Sequence, residues 1–212
     1  MVDIFDAQPA SVEVKLSANK IVKGDDINIT AKDPTMKNIH IGLGWDLNAF
    51  DTDALDLDLS VFLLNKNMKT RVDSDFVFYN NLEGCEGAVS HNGDSRTGAG
   101  DGDDEGVTIN LNDVPYDVMH IMFVLSIYKG EEREQNLSKL RNSYIRLVNA
   151  ENNLEILRYE LAQDMEDKTE TGMRVAVLNR EGPKWHFKAL GECVEGGLGA
   201  IATEYDIIVQ GG

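Results

Sequence analysis

Val107-Thr108-Ile109-Asn110-Leu111 and, shortly after it, His120-Ile121-Met122-Phe123-Val124-Leu125-Ser126-Ile127-Tyr128 decide the fold. In the first stretch apolar and polar residues alternate with the two-residue period of a strand that is buried on one side. The second is almost continuously apolar and rich in β-branched and aromatic residues. It therefore reads as a central strand covered on both faces.

Outward from this pair, the same grammar recurs. Residues 39–45, 57–64 and 76–79 read as strands on the N-terminal side. Further upstream, Val12, Val14 and Leu16 alternate with polar residues. Ile27, Ile29 and Ala31 do the same after Lys23-Gly24-Asp25-Asp26, a pattern that predicts a hairpin. Downstream, residues 144–148 and 154–161 flank the turn Ala150-Glu151-Asn152-Asn153, and residues 174–178 and 185–190 flank Asn179-Arg180-Glu181-Gly182-Pro183. Helical signals are sparse. Residues 131–140 are rich in helix formers, and residues 197–205 carry Leu198, Ile201 and Ala202 at helical spacing. The expectation is a mainly β protein, an antiparallel β-sandwich with one or two short accessory helices. Residues 1–10 are expected to form a flexible N-terminal segment, and residues 11–212 a single domain.

The 212 residues hold 37 Asp and Glu against 20 Lys and Arg, for a formal charge of −17. A surface of that sign repels nucleic acid phosphates and anionic lipid, so neither nucleic acid binding nor direct membrane insertion is expected. The longest apolar run is far too short to span a bilayer. The stretch MVDIFDAQPA has no basic segment followed by an apolar one, so no signal peptide is read there and a cytoplasmic location is expected. Cys85 and Cys193 lie far apart without CxxC spacing, which argues against a structural zinc site and a disulfide scaffold.

Carboxylate placement is more informative than carboxylate number. Gly93-Asp94-Ser95-Arg96-Thr97-Gly98-Ala99-Gly100-Asp101-Gly102-Asp103-Asp104-Glu105 interleaves five carboxylates with glycines and a single arginine. Such crowding is unfavourable unless a cation or solvent screens it, and glycine lets carbonyl oxygens turn inward. Hard oxygen donors suit calcium better than magnesium, and the absence of Cys and His from the motif disfavours zinc and copper. An EF-hand fails as an explanation. Counted from Asp101, the twelfth position is Asn112 rather than Glu, and a strand follows where a helix is required. A second acidic cluster comprises Asp46, Asp51, Asp53, Asp56 and Asp58. In a strand starting near Leu55, Asp56 and Asp58 share one face while Leu57, Leu59 and Val61 face the core, giving a half-cage at the strand entrance. An ordinary wet face is the alternative reading of this cluster.

Gly42-Leu43-Gly44-Trp45-Asp46, Asp56-Leu57-Asp58-Leu59-Ser60, Asp75-Phe76-Val77-Phe78-Tyr79-Asn80-Asn81 and the loop from Gly93 to Glu105 together resemble the TerD family of tellurium-resistance and stress-response proteins. The likeness continues through Gln135-Asn136, Asn142-Ser143-Tyr144-Ile145-Arg146, Thr169-Glu170-Thr171, Trp185-His186-Phe187-Lys188-Ala189 and Gly196-Gly197-Leu198. It implies a β-sandwich binding two neighbouring Ca2+ ions through Asp56, Asp58, Asn80, Asn81, Asp94, Asp101, Asp103, Asp104 and Glu105. Ser95 departs from the family's usual Asn. The carboxylate density around Gly-rich turns leads to the expectation that Ca2+ orders the acidic loops into an interaction surface for other stress-response proteins, and the absence of a His or Lys evidently placed as general acid or base to the expectation of a non-enzymatic role.

Two rivals follow from the same carboxylates: a metal-dependent hydrolase, and a calcium-dependent lectin-like ligand-binding module. No nucleophile elbow, P-loop or dinucleotide fingerprint is present, and neither cysteine has a His beside it in sequence. His91, next to the acidic loop, is read as ordering that loop, and Trp45 and Trp185 as packing in or near the core.

Overall fold

A computed structural model describes residues 19–46, 55–92 and 102–208. Two sheets face each other across one apolar core. The first runs in the order β1 (Lys20–Ile21), β11 (Leu154–Glu160), β10 (Arg141–Asn149), β3 (Asn38–Asp46), β8 (Glu105–Asn110), β7 (Val89–His91), β6 (Glu83–Gly84). The second runs β2 (Asp26–Asn28), β13 (Lys184–Val194), β12 (Gly172–Glu181), β9 (His120–Ile127), β4 (Leu57–Leu64), β5 (Phe76–Val77). Apart from the parallel β1–β11 pair, the named ladders are antiparallel. The expected β-sandwich is what forms.

β9 is buried on both faces, as its unbroken apolar run predicts. Ile121, Phe123, Leu125 and Ile127 enter the core between the sheets, beside Leu57, Leu59, Val61 and Leu63 of β4. Met122 and Val124 enter a second apolar layer, together with Phe62 and Leu64 of β4. Helix α3 (Gly197–Glu204) lies over that layer and contributes Ile201 and Ala202, with Tyr205 and Ile207 just beyond it. Burying these side chains stabilises the sandwich by roughly 1.5–3 kcal/mol each in transfer terms. The close seat of α3 needs glycine on both sides, because a Cβ at Gly172 of β12 would stand 2.8 Å from Gly197 Cα.

Local readings fail in two places. The hairpin around residues 23–26 does not form: β1 joins the first sheet and β2 the second, so the turn crosses between layers. Residues 29–32 then make a short helix, α1 (Ile29–Lys32), with the Asn28 side chain capping Ala31 N at 2.8 Å. Val12, Val14 and Leu16 lie outside the described residues, as does the 1–10 segment. The surface helix expected over residues 131–140 is also absent. Lys129 and Glu134 hold left-handed backbone angles (φ 52 and 53), which break helical continuity and leave turns with a single 3-10 turn at Leu137–Lys139. The second expected helix is α3. A one-turn helix, α2 (Ala162–Met165), was not foreseen.

Strand polarity positions the site. Asp46 ends β3, Glu105 begins β8, Leu57 begins β4, Ile127 ends β9 and Gly172 begins β12. The register pairs Leu43 with Glu105, Arg141 with Asp46, Leu57 with Ile127 and Gly172 with Ser126. Both acidic stretches therefore leave from one end of the sandwich. Among the described residues no helix is long and apolar enough to cross a membrane.

Candidate metal centre

Each acidic residue at this end has a distinct setting. Asp103 lies flat on the outer face of the first sheet, where β3 offers Gly42 instead of a side chain. A Cβ at Gly42 would fall 2.0 Å from Asp103 Oδ2. Arg146 of β10 donates to both oxygens, Nε to Oδ1 at 2.7 Å and Nη2 to Oδ2 at 2.9 Å. His40 Nε2 lies 3.2 Å from Oδ2, and the Tyr144 hydroxyl 3.1 Å from Oδ1. Burial alone would push the Asp103 carboxyl up. The hydrogen bonds from His40 and Arg146, with the Arg146 charge, outweigh it and hold the group at about 2.

Asp104 sits differently. Its backbone N–H donates to Leu43 O at 2.8 Å, and its carboxylate accepts from Trp45 N at 2.9 Å. Burial pushes its carboxyl up, against the Trp45 hydrogen bond, and the negative charges of Asp103 and Asp46 push the same way. Asp46 in turn accepts from Asn142 Nδ2 at 2.7 Å. Two strand ends thus hold carboxylates close enough to disfavour each other, at the point where residues 47–54 and 93–101 depart.

Glu105, only 3% exposed, points between the sheets, and its carboxylate accepts from Leu59 N of β4. His91 Nε2 lies 3.0 Å from Leu59 O, and only a donor can meet a carbonyl there, so Nε2 carries a proton. His91 Nε2 and Glu105 Oε2 are 3.9 Å apart, and both side chains are buried. β5 pairs with β4 only at Val61 and Phe62, so beyond it the edge of β4 is met at Leu59 from the opposite sheet. His91 orders structure, as its sequence position suggested, although what it holds is the facing sheet.

The remaining expected ligands divide between two places. Asp56, half-buried, stands at the entrance of β4, with its carbonyl accepting from Tyr128 N at 2.8 Å. Asp58 and Asn80 open onto a cleft on the outer face of the second sheet, and Asp58 is 7% exposed. Asn81 closes a tight turn, since its Nδ2 donates to Phe76 O at 2.6 Å and its backbone exchanges hydrogen bonds with Phe78. Asp94 and Asp101, like Asp51, Asp53 and Ser95, lie outside the described residues. Among the described residues no group of three or more His, Cys, Asp or Glu converges as a metal cage. In kind, the donors suit a hard cation, since Asp46, Asp56 and Asp104 offer only oxygen.

His40, Tyr144 and Arg146 were not singled out from sequence. The available signal was the spacing of Gly42 and Gly44 in β3, two absent side chains on one face that leave room for long neighbours. Asp103 and Tyr144 occupy that room.

Comparison with known proteins agrees with this architecture. A model of the TerD domain matches residues 18–205. The chain is 44% identical over 185 residues to a protein of Serratia marcescens named tellurium resistance protein TerD, covering 87% of this chain and 95% of that one. It is 43% identical over 190 residues to general stress protein 16U of Bacillus subtilis, covering 89% and 97%. A crystal structure of a Streptomyces coelicolor homologue of telluride resistance protein TerD superposes with a TM-score of 0.64 at 17% identity, over 82% of this chain and 99% of that chain, a likeness of fold. Between the family match over most of its length and these identities, the chain belongs to the TerD family.

Proposed function

We propose that this chain is a calcium-binding stress-response protein, in which Ca2+ orders the acidic loops at one end of the sandwich into a surface for other stress-response proteins. The single observation that carries the reading is the placement of Asp46 and Asp104 at the two strand ends where both acidic loops depart, with burial first and the charges of Asp103 and Asp46 after it raising the Asp104 carboxyl. A hard divalent cation there turns mutual repulsion into shared coordination. Asp46 and Asp104, with Asp94 and Asp101 from the adjoining loops, are the side chains that would hold it. Asp103 and Glu105 act as anchors, since Arg146 and the Leu59 N–H already engage their carboxylates.

A binding role is favoured over catalysis because the histidines next to the acidic residues serve structural bonds, His91 to Leu59 O and His40 to Asp103. Names given to relatives, tellurium resistance and general stress, suggest the setting, and the free thiols Cys85 and Cys193 suit the cytoplasm. Thermal unfolding with calcium and with chelator tests the reading. A folded-state site at 100 times its Kd adds about 2.7 kcal/mol. Identical curves would overturn it, and calcium-dependent hydrolysis of phosphoesters would favour the catalytic alternative.

A further inference from the structure

A second cleft on the outer face of the second sheet, of about 490 Å³, is bordered by the end of α3, residues 67–69 and β13. It lies toward the end opposite the acidic loops, since His120, which lines it, begins β9. Its volume is that of a small-molecule site. The floor is apolar. Met122 of β9 stands opposite Val177 of β12, both buried, and the half-buried Leu190 and Met68 close the sides.

Strand register sets polar groups above that floor. Val177 faces Lys188 of β13 and, two residues on, Asn179 faces His120, so Lys188 and Asn179 are diagonal neighbours on one face. His120 Nδ1 lies 2.7 Å from Asn179 Oδ1, an atom that only a donor can meet. That bond orients the amide and leaves its two N–H groups facing the cleft's ligand.

The lining has a charge opposite in sign to the whole chain. Lys69, Arg174 and Lys188 stand against Glu192 and Glu204, in a protein of net charge −17. Both carboxylates belong to Arg174, which pairs with Glu204 and lies 3.8 Å from Glu192. Lys69 bonds Glu204 O and the Asp206 carboxylate, each at 2.7 Å. Lys188 is left over. Asp26, across the ladder from it, turns its carboxylate to His186 Nδ1 at 3.1 Å, and among the described residues no carboxylate pairs with Lys188. An organic cation meets net repulsion here, a neutral ligand leaves the ammonium unused, and a bare inorganic anion leaves the apolar floor uncovered.

We infer that this cleft binds a small organic carboxylate, its head at Lys188 Nζ and the Asn179 amide and its apolar body over Met122, Val177 and Leu190. The site is independent of the calcium reading, which rests on Asp46 and Asp104 at the other end. The probe is 3-phenylpropionate, titrated with chelator present into the isotope-labelled full chain and followed by amide NMR, alongside 2-phenylethanol, phenethylammonium and inorganic phosphate. Saturable shifts of the Asn179 side-chain amide and of the Val177 and Leu190 backbone amides are expected, with each comparison compound about tenfold or more weaker. Lys188→Met keeps a long side chain at an exposed position and is expected to weaken the carboxylate about tenfold with the fold intact. Lys66→Met, outside the cleft, leaves the affinity unchanged. No saturable shift, equal binding of the alcohol or of phosphate, unchanged affinity in Lys188→Met, or an equal loss in Lys66→Met would overturn the inference. Failure of calcium to stabilise the protein, with the carboxylate result standing, would reject the calcium reading alone.

Discussion

Arg146 grips Asp103 with two parallel hydrogen bonds, 2.7 and 2.9 Å long, across a strand that presents Gly42 between them. Fork-on-fork pairing of this kind fixes orientation as well as charge. It pins the exit of the glycine-rich loop to the sheet, and the chain entering β8 is held before any cation arrives.

The pair has a pH signature. The Asp103 carboxyl is held at about 2 in the folded chain against an ordinary 3.8, so its contribution is fully present above pH 4. It is lost as pH falls from 4 toward 2, because the unfolded chain takes up the proton first. The corresponding stability at neutral pH is about 2 kcal/mol. Urea unfolding of Asp103→Asn should show a loss of that order at pH 7 and a shallower acid limb than the parent. A parallel acid limb would mean that another carboxylate dominates acid unfolding.

Asp104 carries the opposite sign. Its carboxyl is raised in the fold, so ionisation at neutral pH works against stability when no cation is bound. Asp104→Asn keeps an oxygen for the Trp45 N–H and removes the charge. In chelator the variant should melt at or above the parent, and in calcium it should gain less than the parent does. Differential scanning calorimetry in the two buffers reads both arms, and an equal calcium shift in both proteins would remove Asp104 from the site.

Glu105→Ala should cost about 3 kcal/mol, because it strands a buried peptide N–H and removes the carboxylate beside His91. The local readout is more telling than the global one. The Leu59 amide should lose hydrogen-exchange protection out of proportion to Leu63 in the same strand. Uniform loss along β4 would mean that the carboxylate does not hold that peptide.

Gly42→Ala places a methyl on the Asp103 carboxylate and should destabilise by about 1–3 kcal/mol, in the manner of an overpacked core. In an Asp103→Ala background the same methyl has room, and most of that penalty should vanish. A full double-mutant cycle measures this coupling. Additive losses would show that Gly42 is required by the backbone alone.

Much of this was legible in order and period. The apolar run of β9 and the alternation of β8 announced a two-layer β protein with one doubly buried strand. The motif series identified the family, and the carboxylate clusters marked the end of the sandwich from which both acidic stretches leave. What the sequence could not divide was the acidic set itself. Spacing treats Asp58, Asp103, Asp104 and Glu105 alike. Their environments, however, are set by strands far away in sequence: Arg146 claims Asp103, Leu59 claims Glu105, and α3 roofs the cleft that Asp58 faces. Pattern fixes which face a side chain takes, because backbone period is local. What a charged group meets on that face, and hence its pKa and its task, depends on long-range register and the low-dielectric packing that only the assembled sheets create. The lost hairpin at residues 23–26 teaches the same lesson, since pairing energy came from β11 and β13 instead of from sequence neighbours.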